Sequence, residues 1–304
     1  MRWPAAACLV AASLVAGCGG SGAGSATETA TPTPKTTLET LWRAPGADVA
    51  VVAGTSDHQV GVNRISFLVV DKQGRVVERP TARVWVARGL KQTPFAKTTA
   101  RLEPIGVPGG DTAGVGGIYV ATVRTPTAGK YWFMAEPVGG ARIQALGNLV
   151  VARRSAAPSA GDRAIPSKTP TLASTGGDLT ALTTSRHPDR ALYRSSVAQA
   201  LTDRVPFVVT FATPQFCQTR TCGPTVDVVS AVRRAEPARS DVRFVHIEVY
   251  ADNDPAKGVN RWVTEWRLPT EPFTYVVDRT GVIRTKLEGA FSVAELERAV
   301  AAVR

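Results

Sequence analysis

Cys217 and Cys222 are the pair in this chain whose type and spacing could carry out covalent chemistry without a cofactor. They stand in the run Cys217-Gln-Thr-Arg-Thr-Cys222-Gly-Pro224, and Val226, Val229, Ala231 and Val232 follow at helical spacing. Pro224 suits the first turn of that helix, because the amide hydrogen it lacks would be unpaired there. Cys222 is therefore expected at a helix N-terminus, where free amide hydrogens and the positive end of the helix dipole favour thiolate over thiol. Thiolate is the form that attacks a disulfide. On position, Cys222 is the expected attacker and Cys217 the resolving partner, with Arg220 between them adding a charge that favours thiolate. The competing reading is a permanent clip. Such a short loop closes easily, and its stabilisation would lie at the small end of about 2 to 4 kcal/mol.

The other two of the four cysteines, Cys8 and Cys18, lie near the N-terminus. Met1 and Arg2 make a minimal basic start, Ala5 to Ala16 is apolar but too short to span a bilayer, and the run ends Leu14-Val15-Ala16-Gly17-Cys18. That ending resembles the lipobox of bacterial lipoproteins. The resemblance implies removal of residues 1–17 and acylation of Cys18, which would anchor the chain by lipid to the extracytoplasmic face of the cell membrane. A plain secretory signal is the alternative, and both imply export. In an exported chain Cys217 and Cys222 are the remaining thiols, and an oxidising compartment favours pairing. The formal net charge of +11 is scattered rather than clustered. It suits loose attraction to anionic lipid or cell-wall polymer, and no nucleic-acid partner is expected.

With 304 residues and 44% hydrophobic content, two domains plus a tail are expected. Residues 18–43 read as a flexible tether of Gly, Ser, Thr, Ala and Pro. Over 44–153, alternating and aromatic runs at 62–71, 76–87, 117–125, 129–136 and 144–152 predict strands, with turns at Asp71-Lys72-Gln73-Gly74 and Pro126 to Gly129. This pattern predicts a β-sandwich. The Gly117-Ile118-Tyr119 and Ala128-Gly129-Lys130-Tyr131-Trp132 openings resemble immunoglobulin-like domains found beside extracytoplasmic redox and copper proteins, and the segment is expected to be a spacer or docking module. Residues 154–194, with Pro158, Pro166 and Pro170, read as a linker and lead-in.

From 195 to 304 the expected order is a short helix, a buried strand at 206–211, the cysteine turn and its helix to Ala235, a strand at 242–250, a helix from Asn260, a hairpin around Asp278-Arg279-Thr280-Gly281, and a terminal helix capped by Ser292. Through this order, Cys222-Gly223-Pro224 and the stretch from Glu271-Pro272-Phe273 to Val282-Ile283, the region resembles the thioredoxin superfamily. The resemblance implies an α/β thioredoxin-like domain after the β-sandwich. It also implies a cis-proline at Pro272 that turns Glu271 toward the sulfurs, and Glu271 would oppose thiolate formation. A clip has no need of that location, which favours redox chemistry.

The departures are equally specific. The family pair is separated by two residues, whereas here Thr225 follows Cys222-Gly-Pro and the partner lies upstream. Copper-insertion proteins of the same superfamily use a histidine that 268–274 lacks. Peroxiredoxins match only Thr219 and Cys222. The function expected is a membrane-anchored extracytoplasmic thiol-disulfide oxidoreductase acting on exported protein thiols or disulfides, with no cofactor and no metal. The alternative from another class is a lipid-anchored binding or scaffold protein with a structural disulfide; copper delivery and peroxidase activity rank below both.

Overall fold

The computed structural model describes residues 36–237 and 240–304. The leader expected at 1–17, Cys18 and the expected tether as far as residue 35 lie outside the described residues. Leu38–Trp42, read from sequence as tether, forms a helix (α1) begun by a reciprocal Thr37/Thr40 cap. Leu38 is fully buried among Ala87, Met134 and their neighbours, so this turn is fastened by packing.

Eight strands follow: β1 (Ala47–Ala53), β2 (His58–Gln59), β3 (Gly61–Val70), β4 (Thr81–Ala87), β5 (Ala96–Pro104), β6 (Gly117–Thr125), β7 (Gly129–Pro137) and β8 (Ile143–Ala152). Their order is β1-β3-β6-β5-β4-β7-β8, with the two-residue β2 added alongside β8. The ring closes because β1 is shared: Ala47–Ala50 pairs parallel with β8, while Ala50–Ala53 pairs antiparallel with β3. Inward side chains alternate along β6 and β8 and meet in a core where Phe67 lies 5.5 Å from Tyr119 and 5.3 Å from Phe133, ring to ring.

The immunoglobulin-like sandwich expected for 44–153 is thus corrected to a closed, mixed seven-stranded barrel. The difference rests on β1 and β5. β5 alternates only weakly, with small Ala96 and Ala100 and a single Leu102 facing the core, and β1 makes sense only through its two partners, so neither strand is picked out from the sequence.

Beyond the barrel, β9 (Phe207–Phe211), β10 (Arg243–Ile247), β11 (Phe273–Val277) and β12 (Ile283–Glu288) form a second sheet in the order β10-β9-β11-β12. β9 runs parallel to β10 and antiparallel to β11. Every residue of β9 and β11 is buried, because both faces are covered. One face packs on α3 (Cys222–Ala235) and α5 (Val293–Ala301). The other packs on Trp266, on α2 (Val197–Thr202) and α4 (Arg261–Glu265), and on Ala157 and Ala164 of the irregular stretch after the barrel.

The thioredoxin-like α/β assignment is also corrected. The structure is predominantly β, a closed barrel with a four-stranded sheet, and the described residues contain five α-helices, three of which have only five or six residues. The stretch between barrel and β9 also fills the core: Leu182, and Leu192 and Tyr193 of a short 3-10 turn at Arg190–Tyr193, enter it directly.

Barrel and sheet are stitched together by polar groups. Arg64 forks onto Glu295 at 2.6 and 2.9 Å and also donates to the carbonyls of Glu288 and Ala290. The Glu288 carboxylate accepts from the Ser56 amide and hydroxyl and the Asp57 amide, and Lys286 pairs with Asp57 at 3.0 Å.

Candidate active site

The chain leaves β9 at Phe211, runs through a loop to Thr221 and enters α3 at Cys222. Thr221 stands at the N-cap, but its side chain caps nothing. The cap is a sulfur: the Cys222 amide donates to Cys217 Sγ at 3.3 Å. A turn places it there, closed by the Arg220 amide on the Cys217 carbonyl at 3.2 Å, with Arg220 at a φ of 58°. Thr219 Oγ1 lies 3.2 Å from Cys217 Sγ and 2.8 Å from Thr221 Oγ1, so two hydroxyls form a relay ending on the sulfur.

The two thiols differ in the sense opposite to the one expected from position. The Cys217 thiol is lowered to about 5, first by the hydrogen bond from the Cys222 thiol, then by the Thr219 hydroxyl and the Cys222 and Thr221 amides, with partial burial working against them. Cys222 has no exposed surface, and burial, then the neighbouring Cys217 and Glu271, push its thiol far up. The helix-terminus argument holds, but the sulfur that receives the amide belongs to Cys217. Arg220 is exposed, and Cys217 is lowered by hydrogen bonds instead. Both thiols are free.

Glu271 precedes β11, and the Glu271–Pro272 peptide is cis. Cys217, Cys222 and Glu271 bring two sulfurs and a carboxylate oxygen within 4.8 Å of one another. Glu271 Oε2 is buried with no hydrogen-bond partner. Burial, then Cys217 and then Glu248, raise this carboxyl to about 7. His246 stands apart from this group: its ring nitrogens face the Tyr193 hydroxyl at 2.7 Å and the Ala212 carbonyl at 3.0 Å.

Two openings adjoin the site, the first reaching Cys217 and the second Glu271. One, of about 490 Å³, is bounded by Cys217, Pro214, Gln215, Arg220 and Arg186, and on the barrel side by Asp111 and Thr112. The β5–β6 loop comes this close because the second residue of α3 is glycine: a Cβ on Gly223 would meet Asp111 Oδ2 at 2.5 Å. The Asp111 amide in turn donates to Asp227 of α3 at 2.6 Å. The second opening, a mostly apolar groove of about 280 Å³, runs from Thr219 and Glu271 past Tyr250, Val259, Leu268 and Pro269.

Sequence reasoning brought Cys217, Cys222, Glu271 and Pro272 into one neighbourhood, and the structure places them there. It missed Thr219 and Thr221 as partners of the sulfur, although two threonines between two cysteines in a tight turn are a usable signal. It also missed Asp111 and Thr112. The glycine-rich run Gly106-Val-Pro-Gly109-Gly110-Asp111 was the available sign of a close approach.

No family model matches the chain, and no curated protein matches it. Among solved structures, an engineered protein is 13% identical over 36% of this chain and 21% of its own length, with a TM-score of 0.23. The chain thus spans about a fifth of that protein, and a likeness of this degree carries no argument about fold or function.

Proposed function

We propose that the protein is a thiol-disulfide oxidoreductase in which Cys217 attacks and Cys222 resolves. The observation that carries this reading is Cys217 Sγ standing as the cap of α3, half-buried beside an opening, with the buried Cys222 thiol behind it. A sulfur held by amides and a hydroxyl is stabilised as thiolate, and one lying next to a second thiol can pass on a mixed disulfide. Arg186 and Arg220 at the mouth suit an acidic or neutral client segment, and the adjoining apolar groove suits its side chains. The clients are exported protein thiols or disulfides, and the protein is held by lipid on Cys18 at the extracytoplasmic face of the membrane. The Leu14-Val-Ala-Gly-Cys18 ending supports that location.

The test is insulin reduction and mixed-disulfide trapping with single variants. Cys222→Ser should accumulate client adducts on Cys217, and Cys217→Ser should accumulate none. A pair that stays oxidised under a mild dithiol until the protein unfolds would mark a structural clip and end this reading.

A further inference from the structure

Resolution poses a problem that the pair alone does not solve. Cys222 must lose a proton to attack the mixed disulfide on Cys217, yet it is completely buried at the start of α3. Once Cys217 is bonded to a client, it is no longer a thiolate to which the Cys222 thiol can donate. A proton acceptor must stand inside the same enclosure. One carboxylate does: Glu271 brings an oxygen within 4.8 Å of both sulfurs, and its Oε2 is buried without a partner. An unpartnered buried carboxylate oxygen is costly, and a proton from a neighbouring thiol is one thing that satisfies it.

We infer that Glu271 is the general base of the resolving step, taking the proton of Cys222 and returning it to the departing client thiolate. This rests on the oxidoreductase reading above and gives Glu271 a role opposite to simple repulsion. In the first step the Cys217 thiolate attacks a client disulfide; a Cys217–client bond forms, the client's own S–S bond breaks, and one client thiolate leaves. In the second, the Cys222 proton moves to Glu271 as Cys222 sulfur attacks Cys217. The Cys217–Cys222 bond forms, the bond to the client breaks, and the leaving thiolate recovers the proton. The client gains two electrons from the pair, with one proton from Cys222 and one from water for the thiolate that left first, and the protein pair becomes a disulfide; an exported dithiol donor would reset it.

The surroundings fit this duty. The groups facing Glu271 are Cys217 in the turn, Cys222 on α3, and Glu248 and Tyr250 after β10. Burial with the negative Cys217 and Glu248 raises the Glu271 carboxyl to about 7, the range in which a general base works best near neutrality. Conversion of Cys217 to a mixed disulfide removes one of those negative charges, so the carboxylate becomes available at the moment resolution requires it.

Ellman's reagent separates the steps, because the first equivalent of coloured thiolate reports attack by Cys217 and the second reports resolution by Cys222. In full-length Glu271→Gln, the first phase serves as the internal reference for the second. The second should slow by roughly a hundredfold near neutrality, and its rate should rise with pH only toward the ordinary thiol range. Glu271→Asp should recover part of the rate and a carboxylate-like pH profile, which a merely structural effect would not restore. An unchanged second phase with an unchanged pH profile in Glu271→Gln would overturn the inference while leaving the oxidoreductase reading intact. Absence of the first phase in the wild type would overturn both.

Discussion

Replacing Thr219 with valine keeps the shape of the turn but removes the hydroxyl 3.2 Å from Cys217 Sγ and cuts the relay to Thr221. A hydrogen bond to a charged group contributes about 1.5 to 3 kcal/mol, and solvent at this half-buried site brings the value to the lower end. At about 1.4 kcal/mol per pH unit, the Cys217 titration midpoint should rise by about one unit from its value of about 5. At a pH about half a unit above the wild-type midpoint, the thiolate fraction falls from roughly three-quarters to roughly one-quarter. The intrinsic reactivity of a thiolate rises about threefold per unit of pKa, so alkylation rates would nearly cancel the effect. The midpoint is therefore the quantity to measure, by ultraviolet absorbance of the thiolate across mildly acidic pH; Cys222 stays protonated throughout. A wild-type sulfur titrating in the ordinary thiol range, or a midpoint unmoved by Thr219→Val, would refute the claim that this turn creates the thiolate.

Four further outcomes are expected. Arg64→Ala strands the Glu295 carboxylate and two carbonyls between barrel and sheet, and should cost roughly 3 kcal/mol by urea unfolding. Gly223→Ala forces a methyl against Asp111 and should cost about 1 to 3 kcal/mol, with partial recovery in the Asp111→Gly double variant. Because the Glu271 carboxyl is raised from 4.5 to about 7, its contribution to stability is present below the unfolded value and lost as pH rises through the folded one. Glu271→Gln should therefore melt higher than wild type in mildly alkaline buffer, with the gap closing in acid. Cys18→Ala should release the protein from the membrane fraction and remove the lipid from its intact mass.

Much of the local structure was legible in the chain. The apolar alternation of Gly117–Thr125 and Ile143–Ala152 marks strands because one face of each is buried, and Pro224 marks the start of α3 because a helix accepts proline there. Closure was not legible. Whether strands make a sandwich or a ring depends on pairing between β1 and β8, residues about a hundred positions apart, and an Ala-Val segment carries no record of having two neighbours. At the site, residue types revealed the chemistry but not its direction. A cysteine in the first turn of a helix is visible from spacing, whereas a cysteine that folds back to cap it depends on the conformation of Gln218 to Thr221, where Arg220 takes a backbone angle rarely adopted by residues with side chains. The approach of Asp111 to α3 was hidden for the same reason.

The contact between the β5–β6 loop and the first turn of α3 governs what can reach the sulfur. Asp111 rests on Gly223 and Asp227, while Arg64 and Glu288 pin the barrel to the other end of the sheet, so the gap beside Cys217 has two fixed jambs and no hinge. On the oxidoreductase reading proposed above, a client disulfide would have to come to Cys217 along this fixed gap, so an extended client segment suits it better than a folded surface.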